Sequence, residues 1–164
     1  MAALSPPPPP LQDQGGKVPR VLIVDDHAAI RRGVQGILHS FPEWELCGEA
    51  DNGQEAVRLA EALRPEIIIM DVSMPVLNGL EATRIIRDAH PETKVLLLTL
   101  HSSTELVRSA FRAGARGYVL KSDAEQELVR ALNVVLGEGT YVSPAIDENI
   151  AQKVVEEIRR QQKN

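Results

Sequence analysis

Cysteine is almost missing from this chain of 164 residues: Cys47 is the only one, which excludes an intrachain disulfide and a cysteine-built metal site. It lies in an expected strand and reads as a small core residue. Positive charge is also short. A net charge of -5 and a pI near 5.4 argue against a nucleic-acid footprint, which is basic. No apolar run approaches the roughly 18 residues that a membrane span needs. The N-terminus lacks a positive region followed by an apolar segment, so secretion is not expected and a soluble cytoplasmic protein is. What remains is ordinary globular material, 43% apolar and 25% charged, long enough to bury one sizeable core.

Residues 1–19 differ in composition from the rest. Pro6 to Pro10 is an unbroken proline run and Gly15-Gly16 follows it, a pattern that favours extended or disordered chain, so a flexible tail is expected. Beyond it, short apolar runs at about 20–25, 45–50, 66–71, 94–100 and 117–121 alternate with segments of helical period. Ile30, Val34, Ile37 and Leu38 share one helical face, as do Ala56, Leu59, Ala60 and Leu63. The same holds for Ala82, Ile85, Ile86 and Ala89, for Leu106, Val107, Ala110 and Phe111, and for Leu128, Ala131, Leu132, Val135 and Leu136. Strict strand-helix alternation predicts a doubly wound five-stranded parallel sheet with helices on both faces. Asn52-Gly53 and Asn78-Gly79 mark turns into the second and third helices. Ser122 and Glu125 have capping-box spacing for the fifth. After Gly137, Pro144 can start a helix of about 16 residues, with Ile146, Ile150, Val154 and Ile158 as its stripe. Residues 139–164 are thus expected to be a linker and an amphipathic helix that packs on the domain, pairs with another chain or leads towards an output domain.

The strand ends carry the chemistry. Asp25 and Asp26 close the run Val21–Val24, and Asp71 closes Ile67–Met70. Parallel strands point their carboxyl ends at one edge, where such sheets bind ligands. Three carboxylates meeting there repel: two unit charges about 4 Å apart cost roughly 1 kcal/mol in water and about 4 kcal/mol at an effective dielectric near 20. The cluster therefore asks for a cation. Thr99 ends Lys94–Thr99 and Lys121 ends Gly117–Lys121, so the same rule brings a hydroxyl and an ammonium to that edge. The bland alternatives are that Asp25 and Asp26 cap a helix starting near Ala28, that Lys121 is a solvated strand-end lysine, and that Thr99 and Tyr118 are ordinary strand residues.

This ordered set resembles the receiver domain of two-component response regulators over residues 20–138. The stretch from Thr99-Leu100-His101 through Ala113-Gly114-Ala115-Arg116-Gly117-Tyr118 looks like the NarL/LuxR-type subfamily. The resemblance implies a flavodoxin-like strand order of 2-1-3-4-5. It implies that Asp71 accepts a phosphoryl group from a sensor histidine kinase. Asp26, Asp71 and the Ser73 carbonyl would ligate Mg2+, with Asp25 acting through water. Thr99 and Lys121 would contact the phosphoryl oxygens, and Thr99 with Tyr118 would form the switch, Tyr118 turning from exposed to buried. Ser73, Leu100 and His101 occupy positions that tune rates or access. Ser122 stands where many receivers have proline, so a trans peptide is expected there.

Relatives of this type normally continue into a helix-turn-helix domain. Up to Asn164 there is no second three-helix pattern and no basic helix, so nucleic acid is not expected to be bound by this chain itself. A homodimer is plausible through the first and fifth helices or the 106–121 region. Two other readings compete. Aspartate-nucleophile phosphatases of the haloacid dehalogenase type need a second aspartate two residues after the first, where this chain has Ser73. A degenerate receiver that signals without phosphate is opposed by the complete set of five residues. A signalling protein, not an enzyme, is expected.

Overall fold

The computed structural model describes residues 18–146 and 148–162, so all but Val18 and Pro19 of the expected tail at 1–19 lies outside the described residues. The elements run β1 (Arg20–Val24), α1 (Ala28–His39), β2 (Glu45–Ala50), α2 (Gly53–Leu63), β3 (Ile67–Met70), α3 (Gly79–Ala89), β4 (Lys94–Thr99), α4 (Thr104–Ala113), β5 (Gly117–Leu120), α5 (Ala124–Leu136), β6 (Tyr141–Val142) and α6 (Glu148–Gln162). The sheet order is β2-β1-β3-β4-β5-β6 and every pairing is parallel. The order 2-1-3-4-5 is therefore as expected, and a sixth strand extends it.

Alternation along each strand explains why the runs had to be apolar throughout. Leu22, Val24, Ile68, Met70, Val95, Leu97 and Tyr118 enter one core layer, with residues of α2, α3 and α4. Val21, Ile23, Ile67, Ile69, Leu96, Leu98 and Val119 enter the other, with residues of α1 and α5. A strand covered on both faces has no polar side to show.

Two asparagines start helices as their turns suggested. Asn52 accepts from the Glu55 amide at 2.8 Å and Asn78 from the Glu81 amide at 2.9 Å. The capping box at Ser122 and Glu125 is not formed. Residues Lys121–Asp123 make a short 3-10 turn, Asp123 stands at the cap of α5, and no side chain caps that helix. In α3 the inward face is Ala82, Thr83 and Ile86, whereas Ile85 is 43% exposed. Thr83 is tolerated inside because its hydroxyl donates to the Gly79 carbonyl.

β6 was not expected, since two residues carry no period. It exists because β5 would otherwise present an open edge. The Tyr141 amide donates to Arg116 O at 3.0 Å and the Ser143 amide to Tyr118 O at 2.9 Å, while Ser143 Oγ accepts from the Leu120 amide at 3.0 Å. The last helix begins at Glu148, later than Pro144, with Ile146 buried just before it and Val154 buried within it. Both join the core layer of α4, and α6 packs against α4.

Candidate functional site: the carboxyl edge of the sheet

Pairing register brings the predicted residues together. β1 and β3 align Val24 with Met70, so Asp25 and Asp71 leave the sheet side by side. The Asp71 amide donates to Val24 O and the Asp25 amide to Ala50 O, which fixes both backbones where the strands end. Asp25 and Asp71 are 3% and 5% exposed. Lys121 bridges them: Nζ lies 2.8 Å from Asp25 Oδ2 and 3.1 Å from Asp71 Oδ2. It sits at the end of β5, past Leu120, which pairs with Thr99 on β4. So Lys121 is no solvated strand-end lysine.

Burial raises the Asp71 carboxyl above its ordinary range; Lys121 pulls it back, and the Asp25 charge pushes it up again. Burial alone would lower the Lys121 ammonium, but hydrogen bonds and charge from Asp25 and Asp71 outweigh it and hold the group above its usual value. One cation shared by two buried acids leaves the acids the worse served. Asp26 is the more exposed member of the acidic set, with 29% of its side chain accessible.

His27 was not singled out from the sequence, although its place after the acidic pair was a signal. Its amide donates to Asp25 Oδ1 at 2.8 Å, and its Nδ1 lies 3.0 Å from Asp26 Oδ1. Candidate ligand atoms of Asp25, Asp26, His27 and Asp71 all fall within 4.8 Å of one another. Three hard carboxylate oxygens of this kind suit a hard divalent cation such as Mg2+. His27, with no side-chain cap, occupies the cap of α1, so the two acids do not serve as its N-cap. Arg31 also reaches the edge, donating to Asp25 O at 2.6 Å.

Thr99 is fully buried, and its hydroxyl accepts from the His101 amide at 3.2 Å. Tyr118 is fully buried as well, and its hydroxyl donates to His101 O at 2.6 Å. Burial pushes the Tyr118 phenol well above its usual range, so it stays a donor. Both side chains thus tie down the loop after β4 at His101, one through its amide and the other through its carbonyl. The ring of His101 lies 3.2 Å from Ser73 Oγ, joining the two loops that flank Asp71. Leu100 stands in solvent at 75% exposure. Among the described residues every peptide is trans, including the one after Lys121.

The loop after Asp71 is held by close backbone approaches. The Gly79 amide donates to Val72 O at 2.8 Å, and a Cβ at 79 would collide with the Asp71 carbonyl. Gly53 likewise packs on the Leu77 carbonyl, which accepts from its amide. Val76 takes a φ of 69° at the crest, which a β-branched residue adopts only when its surroundings hold it there.

A parallel sheet of order 2-1-3-4-5 with an acidic pair, an aspartate, a threonine and a lysine at its carboxyl edge defines a phosphorylation-type signalling module. The model of the response regulator receiver domain matches residues 21–133, and the chain belongs to that family, among its NarL/LuxR-type members. It is 38% identical over 134 residues to the transcriptional regulatory protein DegU of Brevibacillus brevis, covering 82% of this chain and 57% of DegU. It is 37% identical to the response regulator GacA of Pseudomonas viridiflava, with 82% and 63% covered. A solved LuxR-family two-component response regulator from Aurantimonas sp. SI85-9A1 superposes with a TM-score of 0.78 at 36% identity. That match covers 84% of this chain and 98% of the other. The chain spans about 60% of the length of these curated relatives.

Proposed function

We propose that this chain is the phosphate-accepting part of a cytoplasmic transcriptional response regulator, and that Asp71 takes the phosphoryl group from a phosphohistidine of a sensor histidine kinase. The observation that carries this reading is the buried Asp71 carboxylate, set beside Asp25 and Asp26 and hydrogen-bonded by Lys121. A carboxylate oxygen attacks phosphorus and forms an acyl phosphate as the P–N bond of the phosphohistidine breaks and the kinase imidazole leaves; aspartates act in this way in other phosphotransfer proteins. The Lys121 ammonium is within reach to offset charge on the phosphoryl oxygens. Asp25, Asp26, Asp71 and the Ser73 carbonyl would hold Mg2+, which supplies further charge compensation when bound.

The added group brings about -1.5 to -2 charges and three acceptor oxygens. Thr99 Oγ1 would leave the His101 amide to donate to it, which frees one of the two ties on that loop. Tyr118, already inside, holds the other. Ser73, Leu100 and His101 would set how fast water reaches the acyl phosphate. A second copy docking on α1 and α5, and a DNA-binding domain supplied by the longer regulator, would convert the loop movement into transcriptional control. The partner on α1 and α5 is favoured over the 106–121 region because α6 packs on α4 there. Ser73 stands where a phosphatase would need its general acid, so the acceptor role is favoured over turnover.

Incubation with acetyl phosphate and Mg2+, followed by intact mass measurement, tests the reading. One labile phosphoryl adduct, lost in Asp71→Asn and in EDTA, is the expected result. No adduct on the wild-type chain, or one that persists in Asp71→Asn, overturns it.

A further inference from the structure

The edge opposite Asp71 carries a cavity of about 330 Å³, lined by Arg87, Lys94 and Arg116 with Glu138, and floored by Gly114 and Gly139. It lies where β4 and β5 begin and where α3, α4 and α5 end. Three cations around one small space stand out in a chain whose net charge is -5.

Helix C-termini attract cations, so compensation of those ends is the first explanation to weigh. It accounts for one of the three, and an ion pair accounts for a second. Arg87 Nη1 donates to Arg112 O at 2.9 Å, at the end of α4, and Arg87 also touches the exposed Asp88. Lys94 closes on Glu138 at 2.6 Å. Arg116 has neither kind of partner among the described residues, and Glu138 acts on it only through space. Its guanidinium is half-buried, and burial and then the Arg87 charge both disfavour its cationic form. Half-exposed and donating to no protein group among the described residues, the Arg116 guanidinium leaves its planar fork open to an anion in place of water. Gly114, at a φ of 110°, brings the end of α4 onto the Arg87 side chain, where a Cβ would collide, and so holds the cationic wall close.

We propose that this cavity is a binding site for a small phosphoryl or pyrophosphoryl anion. Arg116 is the bidentate contact, and Arg87 and Lys94 supply charge. A volume of about 330 Å³ falls at the small end of ligand pockets, which run from about 300 to 1,000 Å³, and suits a pyrophosphate or a sugar phosphate. Two phosphoryl oxygens match the guanidinium fork, a geometry that an ammonium cannot reproduce. The site is independent of the proposed acceptor at the other edge, where three carboxylates repel free anions in the absence of metal.

The test is an amide NMR titration of the whole chain in EDTA with pyrophosphate, inorganic phosphate and adenosine monophosphate in separate arms, and sulfate as the comparison. The expected result is saturable shifts at Gly114, Arg116 and Gly139 with a dissociation constant of about 1 mM or tighter for at least one phosphoryl arm. Binding should weaken as salt is raised. Arg116→Gln should weaken it about tenfold, and Arg116→Lys by less, which separates a lost contact from a damaged fold. Which arm binds best tells a free phosphate from a nucleotide-borne one. Absent or non-saturating shifts, equal affinity for sulfate, unchanged affinity in Arg116→Gln, or shifts confined to the Asp71 edge each overturn the proposal.

Discussion

Replacing Asp71 with asparagine should make the metal-free protein more stable. In the folded chain Asp71 is 5% exposed, lies beside Asp25, and shares a single ammonium with it. Its folded-state proton affinity is raised above that of the unfolded chain. The native state therefore holds more protons across the window from the ordinary carboxylate range up to the raised value, and stability falls as pH rises through that window. Above it, the ionised group is a standing cost. Asparagine keeps the shape and removes the charge, while the Asp25–Lys121 pair at 2.8 Å stays intact.

Burial of the carboxylate is the main cost and the Asp25 charge adds to it, by roughly 1 to 4 kcal/mol for like charges about 4 Å apart, while losing the Lys121–Asp71 attraction returns a good part of the total. A net gain of about 1 kcal/mol is expected, or a melting point about 2–4 °C higher. Urea titrations at pH 7 in EDTA measure it. Adding Mg2+ should reverse the ranking, since an ion that binds only the native wild type adds about 2.7 kcal/mol at a hundred times its dissociation constant. If Asp71→Asn is the less stable protein in EDTA, the account of the site as an under-compensated acidic cluster is wrong.

Other consequences are as direct. Gly79→Ala puts a methyl group against the Asp71 carbonyl, so it should cost about 1–3 kcal/mol and lower phosphoryl uptake from acetyl phosphate; full uptake at wild-type stability would contradict the packing. Tyr118→Phe removes the 2.6 Å bond to His101 O and should cost about 1 kcal/mol, with faster hydrogen exchange at His101 to Ser103; unaltered exchange there would disprove the tie. Burial raises the Cys47 thiol, so less thiolate is present at neutral pH than in an exposed cysteine. Alkylation by iodoacetamide should be slow at pH 7, quicken as pH rises, and be faster in urea. Equal rates folded and unfolded would refute it.

The sheet was legible in the sequence because its strands are covered on both faces. Runs such as Ile67–Met70 have one physical explanation when polar residues bound them, and the end of each run then located the acidic and basic groups. Asn52 and Asn78 were legible for a similar reason, since their caps act within three residues. Longer-range features were not. Ile85 fits the apolar stripe of Ala82 and Ile86, but α3 turns Thr83 inward in its place, with the hydroxyl satisfied within the helix. The box at Ser122 and Glu125 lost to a 3-10 turn that brings Lys121 over Asp25 and Asp71. β6 depends on what β5 lacks, a property of the assembled sheet. His27 shows the same limit: its neighbours in the chain announced it, but its approach to Asp26 needs the bend before α1.

The short strand at Tyr141–Val142 has a bearing on where the unit can be cut. The family model's match ends at Asn133, yet the backbone of β5 is completed by residues up to Ser143. A fragment trimmed to the matched region would uncover a ribbon of unpaired amides and carbonyls beside Tyr118. Such a margin invites another chain to add itself on. The stretch after α5, which looks like a mere connector, covers that margin with its own amides and carbonyls.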